Sequence, residues 1–218
     1  AEKRLAALVQ TPTVPAAIEL LVGPAWGDDT ALARQSESAA ARLVVGFEGT
    51  AVEVDWMVGR LQEEWRGASG VSPAAIRGDD ATRVWNRLTE FSAQPPGDPG
   101  RVVLQISVLP SATAEIIGRL LQVAPGSSIQ AHAGDGIVKA RLEQDPKEIP
   151  ALLAERLRPA VAEAGGSLVL LASPAGVPWT GSDVWGPAAD AAAVMQAIKL
   201  GFDPKGILNP DRFSYGNR

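Results

Sequence analysis

Ser128-Ile-Gln-Ala-His-Ala-Gly-Asp-Gly-Ile-Val-Lys-Ala-Arg-Leu142 is the stretch whose reading decides the fold. Ser128 to Ala133 and Ile137 to Leu142 read as two strands. Between them, the Asp-Gly pair of Gly134-Asp-Gly136 suits a tight hairpin. Alternation along the second strand puts Ile137, Lys139 and Arg141 on one side. Upstream, Val102 to Leu109 reads as a strand. Ser111 then caps a helix carrying Ile116, Ile117, Leu120 and Leu121, which stops near Pro125-Gly126. Downstream, Pro146 to Ala164 reads as a helix with Ile149, Leu152, Leu153, Leu157 and Val161, ended by Gly165-Gly166. Ser167 to Ala172 is the closing strand. The order βαββαβ is the ferredoxin-like motif, an antiparallel sheet with helices on one face, and the fold class is α+β.

The first half has a looser rhythm. Leu5 to Val9 reads as a short helix, stopped by Thr11-Pro-Thr-Val-Pro15. Ala16 to Val22 and Arg42 to Phe47 read as strands, with Gly23 to Ser38 a polar loop. Thr50-Ala-Val-Glu53 is a capping box. It opens a helix with Val54, Met57, Val58, Leu61 and Trp65 at helical spacing. Asp79 or Asp80 caps another helix with Val84, Trp85, Leu88 and Phe91 on one face. This block reads as βββα, or as βαβ with an extra helix. It is compatible with a degraded copy of the second block, which would make the fold a duplicated one. Gln94-Pro-Pro-Gly-Asp-Pro-Gly100 is the clearest break. It divides a main domain of residues 1–200 into subdomains 1–94 and 101–200.

Composition excludes several classes of chemistry. There is no cysteine among the 218 residues, which removes disulfides, thiolate zinc sites, iron–sulfur ligation and thiol catalysis. The single histidine, His132, rules out a multi-histidine metal site. A net charge of −5 with no Lys/Arg run argues against nucleic acid. No apolar run approaches the roughly 20 residues of a membrane span. No Gly-x-Gly-x-x-Gly or Walker loop offers a nucleotide phosphate site. A cytoplasmic location is the plain expectation.

The tail is heavily punctuated. After a helical run from Pro187 to Leu200, Gly201 stands where a left-handed residue ends a helix. Asp203-Pro204, Gly206 and Asn209-Pro210 each turn the chain. Phe202, Ile207 and Leu208 lie between these turns as apolar anchors, so the tail is expected to fold against something.

Phe202-Asp-Pro-Lys-Gly-Ile-Leu-Asn-Pro210 resembles the C-terminal signature of FAD-linked oxidases of the vanillyl-alcohol oxidase type, most closely the FAD-binding subunit of bacterial glycolate oxidase. Ile129-Gln-Ala-His-Ala-Gly-Asp-Gly-Ile-Val138 and Asp183-Val-Trp-Gly-Pro187 agree with it. The resemblance implies that residues 1–200 are a cap and substrate domain, and that 201–218 pack on an N-terminal FAD-binding domain. The glycine-rich flavin-binding segment of that domain is not found here. The expectation is therefore a C-terminal piece of a longer protein that alone is inactive and holds FAD weakly or not at all. Implied partners are that domain, a paired flavoprotein subunit, an iron–sulfur subunit and a small anionic substrate. In the family, a 2-hydroxy acid such as glycolate passes a hydride to flavin N5.

Related dehydrogenases carry His-x-Gly-Asp-Gly-Asn-x-His, whose histidines help hold a divalent metal. Here His132, Gly134, Asp135 and Gly136 match, but Ile137 and Lys139 replace the Asn and the second His. No metal of that kind is expected. The altered motif fits an electron-transfer or structural role within the complex. His132, Lys139 and Arg141 are candidates for binding the substrate, the two cations through charge-assisted bonds. Each has a plain structural alternative: a backbone-bonded histidine and a solvated sheet face. Trp185 and Asn209 are the candidate cofactor contacts, while Trp56, Trp65 and Trp85 read as helix packing. A second class of function is a non-catalytic ferredoxin-like binding or assembly module. The anchors Phe202, Ile207 and Leu208 separate the two. Packed on this domain they favour the module; exposed, they mark a partner.

Overall fold

A computed structural model of the chain describes residues 2–27, 32, 41–68, 73–93, 101–174, 176–187 and 190–210. The break at 94–100 lies outside them. Six strands are present among the described residues: β1 (Ala17–Val22), β2 (Ala41–Gly46), β3 (Val102–Ser107), β4 (Ser128–His132), β5 (Ile137–Leu142) and β6 (Ser167–Ala172). They form one antiparallel sheet in the order β2-β1-β4-β5-β3-β6. Its last four strands are the ferredoxin-like unit expected from the sequence. The duplication does not appear among the described residues. β1 instead pairs with β4, so both blocks share one sheet. An unpaired strand edge is a liability, and a two-stranded ribbon is marginal alone; joining the existing edge resolves both.

The helices are α1 (Glu2–Gln10), α2 (Ala51–Glu64), α3 (Gly78–Thr89) and α4 (Thr113–Val123). They are followed by α5 in three consecutive segments (Ile149–Leu152, Leu153–Leu157 and Arg158–Glu163), then α6 (Gly181–Trp185) and α7 (Ala192–Phe202). The capping box of α2 is present, with Glu53 N–H donating to Thr50 Oγ1 and Thr50 N–H to Glu53 Oε2. Asp79, Asp80 and Ser111 make no cap: α3 follows Arg77, and a 3-10 turn at Pro110–Ala112 precedes α4.

One sheet face carries the main core. Leu104, Ile106, Ile129, Val138 and Leu168 from the strands meet Ile116 and Leu120 of α4 and Ile149, Leu153, Leu157 and Val161 of α5. The α5 residues recur every four positions, and a straight α-helix drifts about 40° per such step. The middle segment is π-helical, which widens the turn and keeps the row facing the sheet. Pro159 explains the slip, because it has no N–H for the carbonyl four residues back.

On the opposite face the described residues Leu21, Trp26, Leu32, Val84, Leu88 and Phe91 build a second, smaller core under α3. Trp26 and Phe91 stack at 4.9 Å, and Trp26 Nε1–H donates to the Ile129 carbonyl at 2.8 Å. The expected packing face of α2 is buried only at Leu61. Val54, Val58, Leu61 and Trp65 instead line a cavity of about 700 Å³ against β2 and α3. Trp56 is exposed, contrary to its reading as packing.

Candidate functional site

Beyond that smaller core the second face carries polar side chains, and strand register lays them out in rows. One row runs Glu19, His132, Ile137, Ser107, Ser167 across β1, β4, β5, β3 and β6. The adjacent row runs Leu21, Gln130, Lys139, Gln105, Val169. His132 and Lys139 are therefore diagonal neighbours, within reach of one another's ligands.

Glu19 is the unexpected member. The residue is 4 % exposed yet carries a carboxylate. Oε1 lies 2.5 Å from His132 Nδ1, and Oε2 accepts from Gln130 Nε2 at 3.1 Å. A buried carboxylate is tolerated only when paired in this way. His132 itself is half-buried, and its other ring nitrogen meets no described residue. Gln130 Oε1 is buried without a partner. One signal for Glu19 was legible in the sequence, a lone acid inside the apolar run Ala17-Ile-Glu-Leu-Leu-Val22.

Lys139 points from the same face and makes no hydrogen bond or ion pair with a described residue. Arg141 lies one row further along and is differently occupied. Its guanidinium donates to the carbonyls of Phe91 (2.6 Å), Ala93 (3.3 Å) and Glu90 (3.4 Å), and stacks over the Phe91 ring. It closes the end of α3, which is neither the substrate clamp nor the solvated sheet face that the sequence offered as its alternative, and its Nε and Nη2 donors are engaged with backbone. The hairpin between the strands has its own logic. Asp135 and Gly136 N–H both donate to the His132 carbonyl, while Gly136 C=O accepts from Val108 N–H at 2.9 Å. The Gly-Asp-Gly motif thus fixes the backbone on which His132 sits.

Trp185 and Asn209 are placed elsewhere, and neither hydrogen-bonds to the polar face among the described residues. Trp185 ends α6, a short helix opened by a Thr180/Asp183 capping box. Arg158 holds α6 on β6 by donating to the carbonyls of Leu168 and Asp183. Asn209 occupies a left-handed turn at φ 46°, a conformation asparagine tolerates.

The tail forms a second candidate surface. α7 starts at Ala192 and continues through Gly201, which is helical, to Phe202. No residue of α7 is buried. Asp203 is 4 % exposed because the tail folds around it. Its Oδ1 accepts from Ile207 N–H and its Oδ2 from Leu208 N–H, each at 2.9 Å. Lys199 Nζ pairs with the same carboxylate and donates to the Leu208 carbonyl at 2.8 Å. Gly206 provides the left-handed corner at φ 64°. The result is a self-braced turn that directs its apolar side chains outward: Phe202 is 85 %, Ile207 71 % and Leu208 55 % exposed.

The Lys199 contact and the two amides hold the Asp203 carboxyl below the ordinary carboxylate range. A depressed acid stabilises above its unfolded pKa, and that contribution is lost as pH falls through the folded value. The turn is therefore expected to persist at neutral pH and to open only below about pH 3.9, the ordinary aspartate value. Amide proton shifts of Ile207 and Leu208 followed by NMR check this. Collapse of their hydrogen-bonded shifts at pH 6 would contradict it.

Residues 187–213 match the family described as FAD linked oxidases, C-terminal domain. No curated protein matches the chain. The matched segment spans α7 and the braced turn, so this part of the chain carries the signature of a component of a flavin-dependent oxidase. No helix among the described residues is long and apolar enough to cross a membrane.

Proposed function

We propose that this chain is the cap and C-terminal part of a subunit of an FAD-dependent oxidoreductase. It resembles the FAD-binding subunit of glycolate oxidase and acts on a small 2-hydroxy acid within a multi-subunit complex. The observation that carries the reading is the tail, where three apolar side chains on a rigid turn face solvent inside the matched signature. Residues that packed on their own domain would be buried. Exposed together on a braced loop, they suit a flavin-binding domain as partner.

The donors present fit one side of the cofactor and not the whole of it. The side chains of Lys139, Gln105 and Ser107 on the polar face make no hydrogen bond to a described residue and suit an anionic substrate or the edge of an isoalloxazine ring. The sequence has no glycine-rich loop for the pyrophosphate, so the partner domain must hold it. When bound, the flavin supplies the hydride acceptor. The chain's own residues do the positioning. Lys139 occupies the place of a metal-ligating histidine and offers a fixed positive charge for a carboxylate. His132 lies diagonal to it, over a hairpin whose backbone holds it in place. The sheet with its partly covering helix keeps water from one side. Trp185 and Asn209 would meet the cofactor domain along the tail surface. We give Arg141 no role in this reading, because its guanidinium already bonds the carbonyls that follow α3.

The test is the flavin absorption band of the purified chain with excess FAD, alone and after co-expression with the flavin-binding domain of such a subunit. The expected result is no band for the chain alone and a co-purifying complex that carries one. A band in the chain alone would overturn the division of labour. Failure of the two parts to associate would favour the non-catalytic module.

A further inference from the structure

Resting on the substrate class proposed above, we infer that Glu19 is a positioning residue for His132. In this arrangement His132 Nε2 takes the hydroxyl proton of a 2-hydroxy acid whose carboxylate lies on Lys139.

Both oxygens of Glu19 are engaged inside the sheet, one with His132 Nδ1 and one with Gln130. β1 and β4 pair Glu19 directly opposite His132, so the contact is set by strand register and not by a loop. With Nδ1 committed to a carboxylate, the neutral imidazole carries its proton on Nδ1 and presents a lone pair at Nε2. Nε2 and Gln130 Oε1 have no partner among the described residues, and of the two only Nε2 belongs to a side chain that reaches solvent, since Glu19 and Gln130 are buried. The diagonal neighbour Lys139 brings an ammonium to the same face. An ammonium and a lone pair separated by one strand step match a carboxylate and a hydroxyl on adjacent carbons.

The proton step balances without any further reactant. The substrate O–H bond breaks, its electron pair stays on oxygen, and a new N–H bond forms at Nε2. The resulting imidazolium faces the Glu19 carboxylate, which stabilises it as the buried acid of a Ser-His-Asp triad does.

The 218-residue chain, labelled with ¹⁵N-histidine, is titrated with glycolate and with acetate, which lacks the hydroxyl. The expected result is a shift at His132 Nε2 with glycolate only, and tighter binding of glycolate by roughly five-fold, the ratio one added hydrogen bond supplies. Glu19→Gln should erase that preference and move the imidazole proton toward Nε2 while acetate binding stays. Should that buried variant fail to fold, His132→Gln, at a half-exposed position, should erase the preference alone. Lys139→Ala should weaken both ligands. Equal binding of the two acids through Lys139, with Nε2 unmoved, overturns this inference and leaves the anion site standing. Absence of binding by either acid overturns the substrate reading and this inference with it.

Discussion

Replacing Phe202, Ile207 and Leu208 together by serine is expected to leave the melting of the isolated chain within about 0.5 kcal/mol of the parent, as for other surface changes. The same change is expected to abolish association with the flavin-binding partner domain. The three side chains touch little of their own fold, so their loss exposes nothing. At a buried interface, large apolar anchors each cost about 2 kcal/mol or more on truncation. Three of them weaken binding by about a thousand-fold or more, allowing for non-additivity. The bracing by Asp203 and Lys199 matters here because the turn is already ordered, so docking does not have to freeze it. Calorimetric melting of the variant beside a pull-down against the flavin-binding domain reads both halves. A large drop in melting temperature would mean the tail packs on this domain after all. Unchanged association would remove the tail from the interface.

Gly136→Ala is expected to destabilise the chain by about 3 kcal/mol, combining left-handed strain with a steric clash. Gly134→Ala is expected to stay within about 0.5 kcal/mol. The two glycines look equivalent in Gly134-Asp-Gly136. The structure separates them. Gly136 has φ 73°, and a Cβ there would run into the Val108 carbonyl oxygen. Its own carbonyl is tied to Val108 N–H, so it cannot move aside. Gly134 has no such conformation, and a Cβ would first meet Ile18 Cδ1 at 4.0 Å. Thermal melts of the pair decide it, with a fall of about 9 °C expected for Gly136→Ala in a domain of this size. Equal melting temperatures would show that the hairpin tolerates a side chain at 136. Because the turn carries the His132 carbonyl, the same variant should also disturb any ligand response at His132.

The βαββαβ order was legible because each element announces itself locally, by alternation in the strands, by four-residue recurrence in α5 and by the Asp-Gly turn. The capping box at Thr50 was legible for the same reason. Gly201 misled, since a glycine within a helix and one just past its end look alike until the next turn is known. The first block misled more deeply. Its strands carry no mark of their partner, and the pairing of β1 with β4 spans more than a hundred residues.

The polar face shows the same division. Lys139 and Arg141 are two positions apart on one side of a strand, and nothing local distinguishes them. Only the end of α3, brought over Arg141 by the second core, converts that residue into a clamp on backbone carbonyls. Lys139, of intermediate burial, makes no side-chain bond to a described residue.

By itself, the sequence determined the α+β class, the hairpin, the absence of thiol chemistry and the turn-punctuated, apolar tail, since each depends on neighbours within a few residues. Tertiary structure alone decided that Glu19 meets His132, that Arg141 holds the carbonyls after α3, and that Phe202, Ile207 and Leu208 face outward. Burial and long-range pairing are properties of the packed chain, set by which surfaces meet, and local spacing carries no record of them.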